Sequence, residues 1–97
     1  MSREQKINHI IKTFKNIGER VAPQLLDTGI ETLDDLKKIG AEEAFYNIWA
    51  ANPVEIEINA MYLYALEGAI QGINCLMIDR ERKDELQNYA KALRESI

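Results

Sequence analysis

Between Ile58 and Ile78 the chain carries a single acidic or basic side chain, Glu67. The first part of that stretch, from about Asn59 to Gln71, contains Met61, Tyr62, Leu63, Tyr64, Ala65, Leu66, Ala69 and Ile70. A helix made of these residues has no polar face, so it must be enclosed either by lipid or by other helices. The stretch is long enough to span a bilayer. However, Asn59, Gln71 and Asn74 would leave amides without partners in hydrocarbon, and Gly68 and Gly72 weaken an exposed helix. The reading is a buried central helix, and the rest of the chain has to cover it.

With 97 residues the cover has to come from a single domain, residues 1–97. Ile7, Ile10, Ile11 and Phe14 fall at i, i+3, i+4 and i+7, one face of a first helix from about Arg3 to Lys15. Val21, Ala22, Leu25 and Leu26 repeat that spacing in a second helix, which Gly29 ends in a left-handed cap. Pro23 lacks an N–H, so this helix either starts near Ala22 or has a distorted first turn. Thr32-Leu33-Asp34-Asp35 has the form of a capping box for a third helix, with Leu33, Leu36 and Ile39 inward and Gly40 as its stop. A fourth helix, Ala41 to about Ala50, turns Ala44, Phe45, Ile48 and Trp49 inward.

After Asn52-Pro53, a breaker, Val54, Ile56 and Ile58 alternate with Glu55 and Glu57. A lone strand would leave its backbone unpaired, so the segment is expected to be an extended connector that tucks three aliphatic side chains onto the core. Asp79 is the expected N-cap of a last helix, Arg80 to Ser96, with Leu86, Tyr89, Ala90, Leu93 and Ile97 as its stripe. The predicted fold is all-α, a compact domain of five to six helices.

One short pattern occurs twice. Ile17-Gly18 and Ile39-Gly40 are each followed by three residues and an alanine, Ala22 and Ala44, and each lies between helical segments. This is the arrangement of a helix-hairpin-helix, in which glycine permits a tight turn and alanine lets backbones approach. Amides left free at the start of the second helix of such a turn can hold a nucleic-acid phosphate. The first copy has Lys12, Lys15 and Arg20 nearby, so its phosphate-binding set reads Lys12, Lys15, Asn16, Ile17, Gly18 and Arg20. The second is followed by Glu42 and Glu43, whose charges oppose a phosphate.

Charge separates the function classes. The chain has 12 Lys and Arg against 16 Asp and Glu, a net charge of −4, whereas nucleic-acid-binding domains are usually basic. Residues 1–20 run the other way, with Arg3, Lys6, Lys12, Lys15 and Arg20 against Glu4 and Glu19. The only histidine is His9, and serine occurs only at Ser2 and Ser96, which argues against a Ser-His-Asp triad, a histidine-rich metal centre and enzymatic function of any common kind. Asp27, Glu31, Asp34 and Asp35 have no metal-liganding spacing and read as a solvated face; no metal, cofactor or small-molecule substrate is indicated. The single cysteine, Cys75, excludes an internal disulfide and suits a reducing compartment; its apolar surroundings read as those of a small buried hydrophobe. Met1 to Lys6 is polar with no apolar stretch behind it, so secretion is not indicated and the expected location is the cytoplasm.

The order of motifs Asn16-Ile17-Gly18, Gly29-Ile30 with Thr32-Leu33 and Asp35-Leu36, Gly40-Ala41 with Ala44, and Leu63-Tyr64-Ala65-Leu66-Glu67-Gly68-Ala69 with Gly72 resembles the C-terminal domain of TfoX/Sxy competence regulators. The likeness covers roughly residues 12–90. It implies a bacterial, all-helical domain with two helix-hairpin-helix-like turns and a role in switching on DNA-uptake genes together with the cyclic-AMP receptor protein. Members usually carry a separate N-terminal domain, and none is expected in residues 1–97. The residues Gly29, Thr32, Gly40, Ala44, Tyr64, Leu66, Glu67, Gly68 and Gly72 are the structural part of that motif set.

Two functions from different classes follow. The first is a regulatory binding module that works through protein partners, a transcription complex or a second copy of itself. Its expected surface is an exposed apolar patch in which Tyr46 joins Tyr62 or Tyr64, while Phe45 and Trp49 go to the core. The second is a weak, non-specific DNA-binding module using the first hairpin. Glu67, on the most apolar helix, requires a partner and is expected to accept from helix-terminal amides or from a Lys or Arg.

Overall fold

The computed structural model describes all residues, Met1 to Ile97. Six α-helices and one short 3-10 turn follow in order: α1 (Arg3–Thr13), α2 (Val21–Asp27), α3 (Leu33–Ile39), α4 (Ala41–Ala51), α5 (Ala60–Gln71), the 3-10 turn (Cys75–Met77) and α6 (Arg80–Glu95). No strand forms. The expected all-α class holds, and none of its helices is long and apolar enough to cross a membrane.

Local chemistry sets the starts and stops. Ser2 and Gln5 close a capping box at the head of α1, and Thr32 with Asp35 closes one at the head of α3. Asn59 and Asp79 accept from the amides of Tyr62 and Arg82, at the heads of α5 and α6. Gly29 (φ 90°) follows α2, and Gly72 (φ 70°) ends α5 in the left-handed conformation. Gly40 (φ 84°) is at once the last cap of α3 and the first of α4, a one-residue joint that only glycine makes without strain. Pro23 is the third residue of α2, where the amide it lacks would have had no partner in the helix. That resolves the conflict over where this helix begins.

α5 is the central element: α3, α4, α6 and the 3-10 turn all pack on it, while α1 packs on α2. Leu63, Leu66 and Ala69 of α5 join Ile10, Phe14, Leu25, Leu36, Ala44, Phe45, Ile48, Leu86 and Ala90 in one core. Each large side chain removed from water there contributes about 1.5–3 kcal/mol.

Three packing expectations need correcting. Val54 is exposed, because the backbone turns at Asn52, whose carbonyl accepts from the amides of Glu55 and Ile56. Val54 therefore rides the outside of a turn, and only Ile56 and Ile58 are buried. Ile97 lies beyond the end of α6 and is exposed, and Trp49 is only partly covered. The two Ile-Gly copies also make different joints. Gly18 has ordinary backbone geometry and open space around it, and the residue in the left-handed region is Asn16 (φ 71°). The first corner is a seven-residue connection, residues 14–20, while the second is Gly40 alone.

Candidate functional site

The first corner is docked onto the far end of α5. Asn16 is one of the few residue types that tolerate the left-handed region. That geometry places its side chain across the segment after α5. Its Nδ2 donates to the Ile73 carbonyl at 2.8 Å, and its Oδ1 accepts from the Cys75 amide at 3.0 Å. The close approach requires Gly68. A Cβ at that position would collide with the Asn16 side-chain nitrogen and would come within 2.9 Å of Ile73 O and 3.2 Å of Cys75 Cα.

The same joint holds the 3-10 turn from several sides. Asn74 Oδ1 accepts from the Leu76 amide at 2.9 Å, and Lys83 Nζ donates to the Leu76 carbonyl at 3.1 Å. The turn so fixed presents two consecutive apolar residues to solvent, Leu76, 66% exposed, and Met77, 73% exposed. This apolar shoulder had no signature in the periodicity, because it lies between helices where no period applies. The preceding Cys75 is half-buried rather than fully enclosed.

Lys12, Lys15, Asn16, Ile17 and Gly18 line one open groove of about 600 Å³, together with Ile11, Thr13, Phe14 and Gly72. Lys12 and Lys15 are exposed and have no carboxylate within salt-bridge distance. The amides of Gly18, Glu19 and Arg20 have no acceptor within the chain. The rest of the sequence-based set behaves differently. Ile17 is buried, the Asn16 side chain is saturated by Ile73 and Cys75, and Arg20 lines a separate hollow of about 200 Å³ with Tyr62, Asn59 and Ile56. Two other cations of the N-terminal segment are neutralised by α2 and the residues after it: Arg3 forks onto Asp27 and Lys6 reaches Glu31.

The second polar feature is half-buried around Glu67, its one buried member, and is structural in form. Arg82 of α6 donates from both terminal nitrogens to Glu42 of α4, at 2.6 and 2.9 Å, and from Nε and Nη2 to Glu67 of α5, at 3.1 and 2.9 Å. Its Nη1 also reaches Glu85 at 3.1 Å, and Gln71 Nε2 donates to the second oxygen of Glu67 at 2.7 Å. The expected Lys or Arg partner of Glu67 is thus Arg82, and one guanidinium ties three helices together. Hydrogen bonding to Arg82 holds the Glu42 carboxyl below its ordinary range, against the opposing effect of burial. Hydrogen bonding to Glu42 first, and to Glu67 and Glu85 after it, raises the Arg82 guanidinium further.

The three tyrosines expected on one surface do not share it. Tyr46 is 44% exposed and leans on Trp49, ring centroids 5.9 Å apart. Tyr62 is half-buried, packs edge-on against Phe45 at 5.1 Å and donates to Gln24; burial raises its phenol well above the usual range. Tyr64 is buried, with Lys83 6.0 Å above its ring, so it is removed from the partner surface. On α6, burial raises the Tyr89 phenol, and the charges of Glu42, Tyr46 and Glu43 add to that effect. No group of histidine, cysteine and carboxylate side chains is arranged to hold a metal ion.

Comparison with known proteins agrees with this architecture. Residues 7–90 match the family model of the TfoX C-terminal domain. The chain is similar to a crystal structure of an uncharacterized protein from Listeria monocytogenes in a triclinic form, with 36% identity and a TM-score of 0.77 over 87% of this chain and 92% of that one. It is equally similar to a tetragonal crystal structure of a protein of unknown function from Listeria monocytogenes, with 36% identity, a TM-score of 0.77, and 86% and 98% of the two chains covered. No curated protein matches it.

Proposed function

The chain belongs to the TfoX C-terminal domain family, and from that premise we propose that it is a non-enzymatic regulatory module of the bacterial cytoplasm, acting in the control of DNA-uptake genes chiefly by binding other proteins. The observation that carries this reading is the Leu76–Met77 shoulder. Two large apolar side chains stand in water on a turn whose backbone is fixed by Asn16, Asn74 and Lys83. A backbone held in place before binding has little freedom left to lose on docking, which favours a protein interface.

The test is a quantitative pull-down from bacterial lysate with the wild-type chain and with the Leu76→Ser, Met77→Ser double variant, both checked for an unchanged melting temperature. The reading expects proteins retained by the wild type and lost by the variant. Indistinguishable capture profiles would count against it.

A second reading, non-specific grip on DNA phosphates, is favoured by Lys12 and Lys15 standing unpaired in one groove with Gly18, whose amide is free. It expects binding of a labelled duplex that weakens steeply with salt and is lost in Lys12→Glu, Lys15→Glu. An absence of binding at low salt removes it.

A further inference from the structure

The side of the molecule formed by α4 and α6 carries an unbalanced charge beside exposed aromatic surface. Glu42, Glu67 and Glu85 share the single cation Arg82, and Glu43, exposed at the head of α4, has no cationic partner. Tyr46 stands one turn further along α4, resting on Trp49. The first corner has the opposite chemistry in the same combination: unpaired Lys12 and Lys15, and the apolar pair Leu76 and Met77 at the end of the segment that Asn16 clamps.

We propose that the α4–α6 face of one copy of this chain receives the first corner and shoulder of a second copy. Lysine ammonium groups would meet Glu43 and the aromatic rings, and the aliphatic pair would cover Tyr46. The two surfaces differ, so the contact is head-to-tail rather than two-fold, and it extends or closes into a ring. It rests on the reading of the corner and shoulder as a protein-binding surface and names that surface's partner. Both faces are small and part of the complementarity is electrostatic, so the association is weak and sensitive to salt.

Sedimentation velocity of the full chain over a concentration series tests this at about 0.05 M and about 0.5 M salt, where screening lengths are roughly 14 and 4 Å. The expected result is a sedimentation coefficient that climbs with concentration at low salt, with association at least about tenfold weaker at high salt. Lys12→Glu with Lys15→Glu, and separately Glu43→Gln with Tyr46→Ser, should each be monomeric at every concentration. An equimolar mixture of these two variants should form a one-to-one complex, because each retains the face that the other has lost. Circular dichroism establishes that both variants are folded. A wild-type chain that stays monomeric at low salt overturns the proposal, and so does a mixture that stays monomeric while the wild type associates. If the Leu76→Ser, Met77→Ser variant still loses partners from lysate while the wild type is monomeric, the protein-binding reading survives and the second copy does not.

Discussion

Replacing Arg82 by alanine removes the one cation that three carboxylates share. The side chain of Glu67 is 10% exposed and that of Glu85 is 59% exposed, so the cost falls mainly on Glu67. Glu67 would keep only the 2.7 Å hydrogen bond from Gln71. Removing one member of a buried pair costs about 3–5 kcal/mol, and the partly exposed Glu42 and Glu85 add under about 1 kcal/mol each after solvent screening. A loss of about 3 kcal/mol at pH 7 is expected, which in a domain of this size lowers the melting temperature by roughly 12–24 °C. Arg82→Lys keeps the charge without the fork and should lose about half as much.

The sign of the pH dependence separates this from a loss of packing. In the wild type, acid removes the Arg82–Glu42 interaction. In Arg82→Ala, acid instead neutralises carboxylates left without a counter-ion, so the gap between the two proteins narrows as pH falls. Urea denaturation at pH 7 and near pH 3.5 measures both. A difference below about 1 kcal/mol at pH 7, or one that does not shrink on acidification, would refute the reasoning.

Gly68→Ala should destabilise by about 2–3 kcal/mol, since the new methyl meets Asn16, Ile73 and Cys75; helix propensity alone predicts a gain of about 1 kcal/mol, so the sign of the change in urea midpoint decides. The carboxyls of Glu42, hydrogen-bonded to Arg82, and Asp35, accepting from the amides of Glu31 and Thr32, are both held below their ordinary values of 4.5 and 3.8. Their contribution to stability is therefore complete above the ordinary values and is lost as pH falls through the lowered ones. The wild-type midpoint should stay level from pH 7 to about 5 and drop below about 4; a rise on acidification would contradict this.

The parts of the fold that depend on neighbours three or four residues apart were legible in the sequence. Thr32 with Asp35, Gly29, Gly40 and Asp79 act where the helical patterns place them, because a cap is a local bargain between a side chain and the next turn. The same local rule misassigned the first corner. It gave the turn to Gly18, while the structure gives it to Asn16, whose partners lie 57 and 59 residues away. The need of Glu67 for a cation was visible from its apolar surroundings, but which of 12 basic residues met it depended on how α6 crosses α5. In the site, five of the six residues assigned to the first hairpin line one groove and Arg20 lines another. Tyr64 turned inward because α5 is covered on the side where α6 lies. Val54 shows why alternation without a partner strand misleads: a single turn at Asn52 is enough to put one member of the series in water.

The central claim is that the first corner is a joint that presents the Leu76–Met77 shoulder already formed. Native-state hydrogen exchange at the Cys75 amide reads that joint directly, because its acceptor is Asn16 Oδ1. The account predicts that this amide is protected in the wild type and exchanges at least about tenfold faster in Asn16→Ala. A Cys75 amide that exchanges freely in the wild-type protein would contradict it.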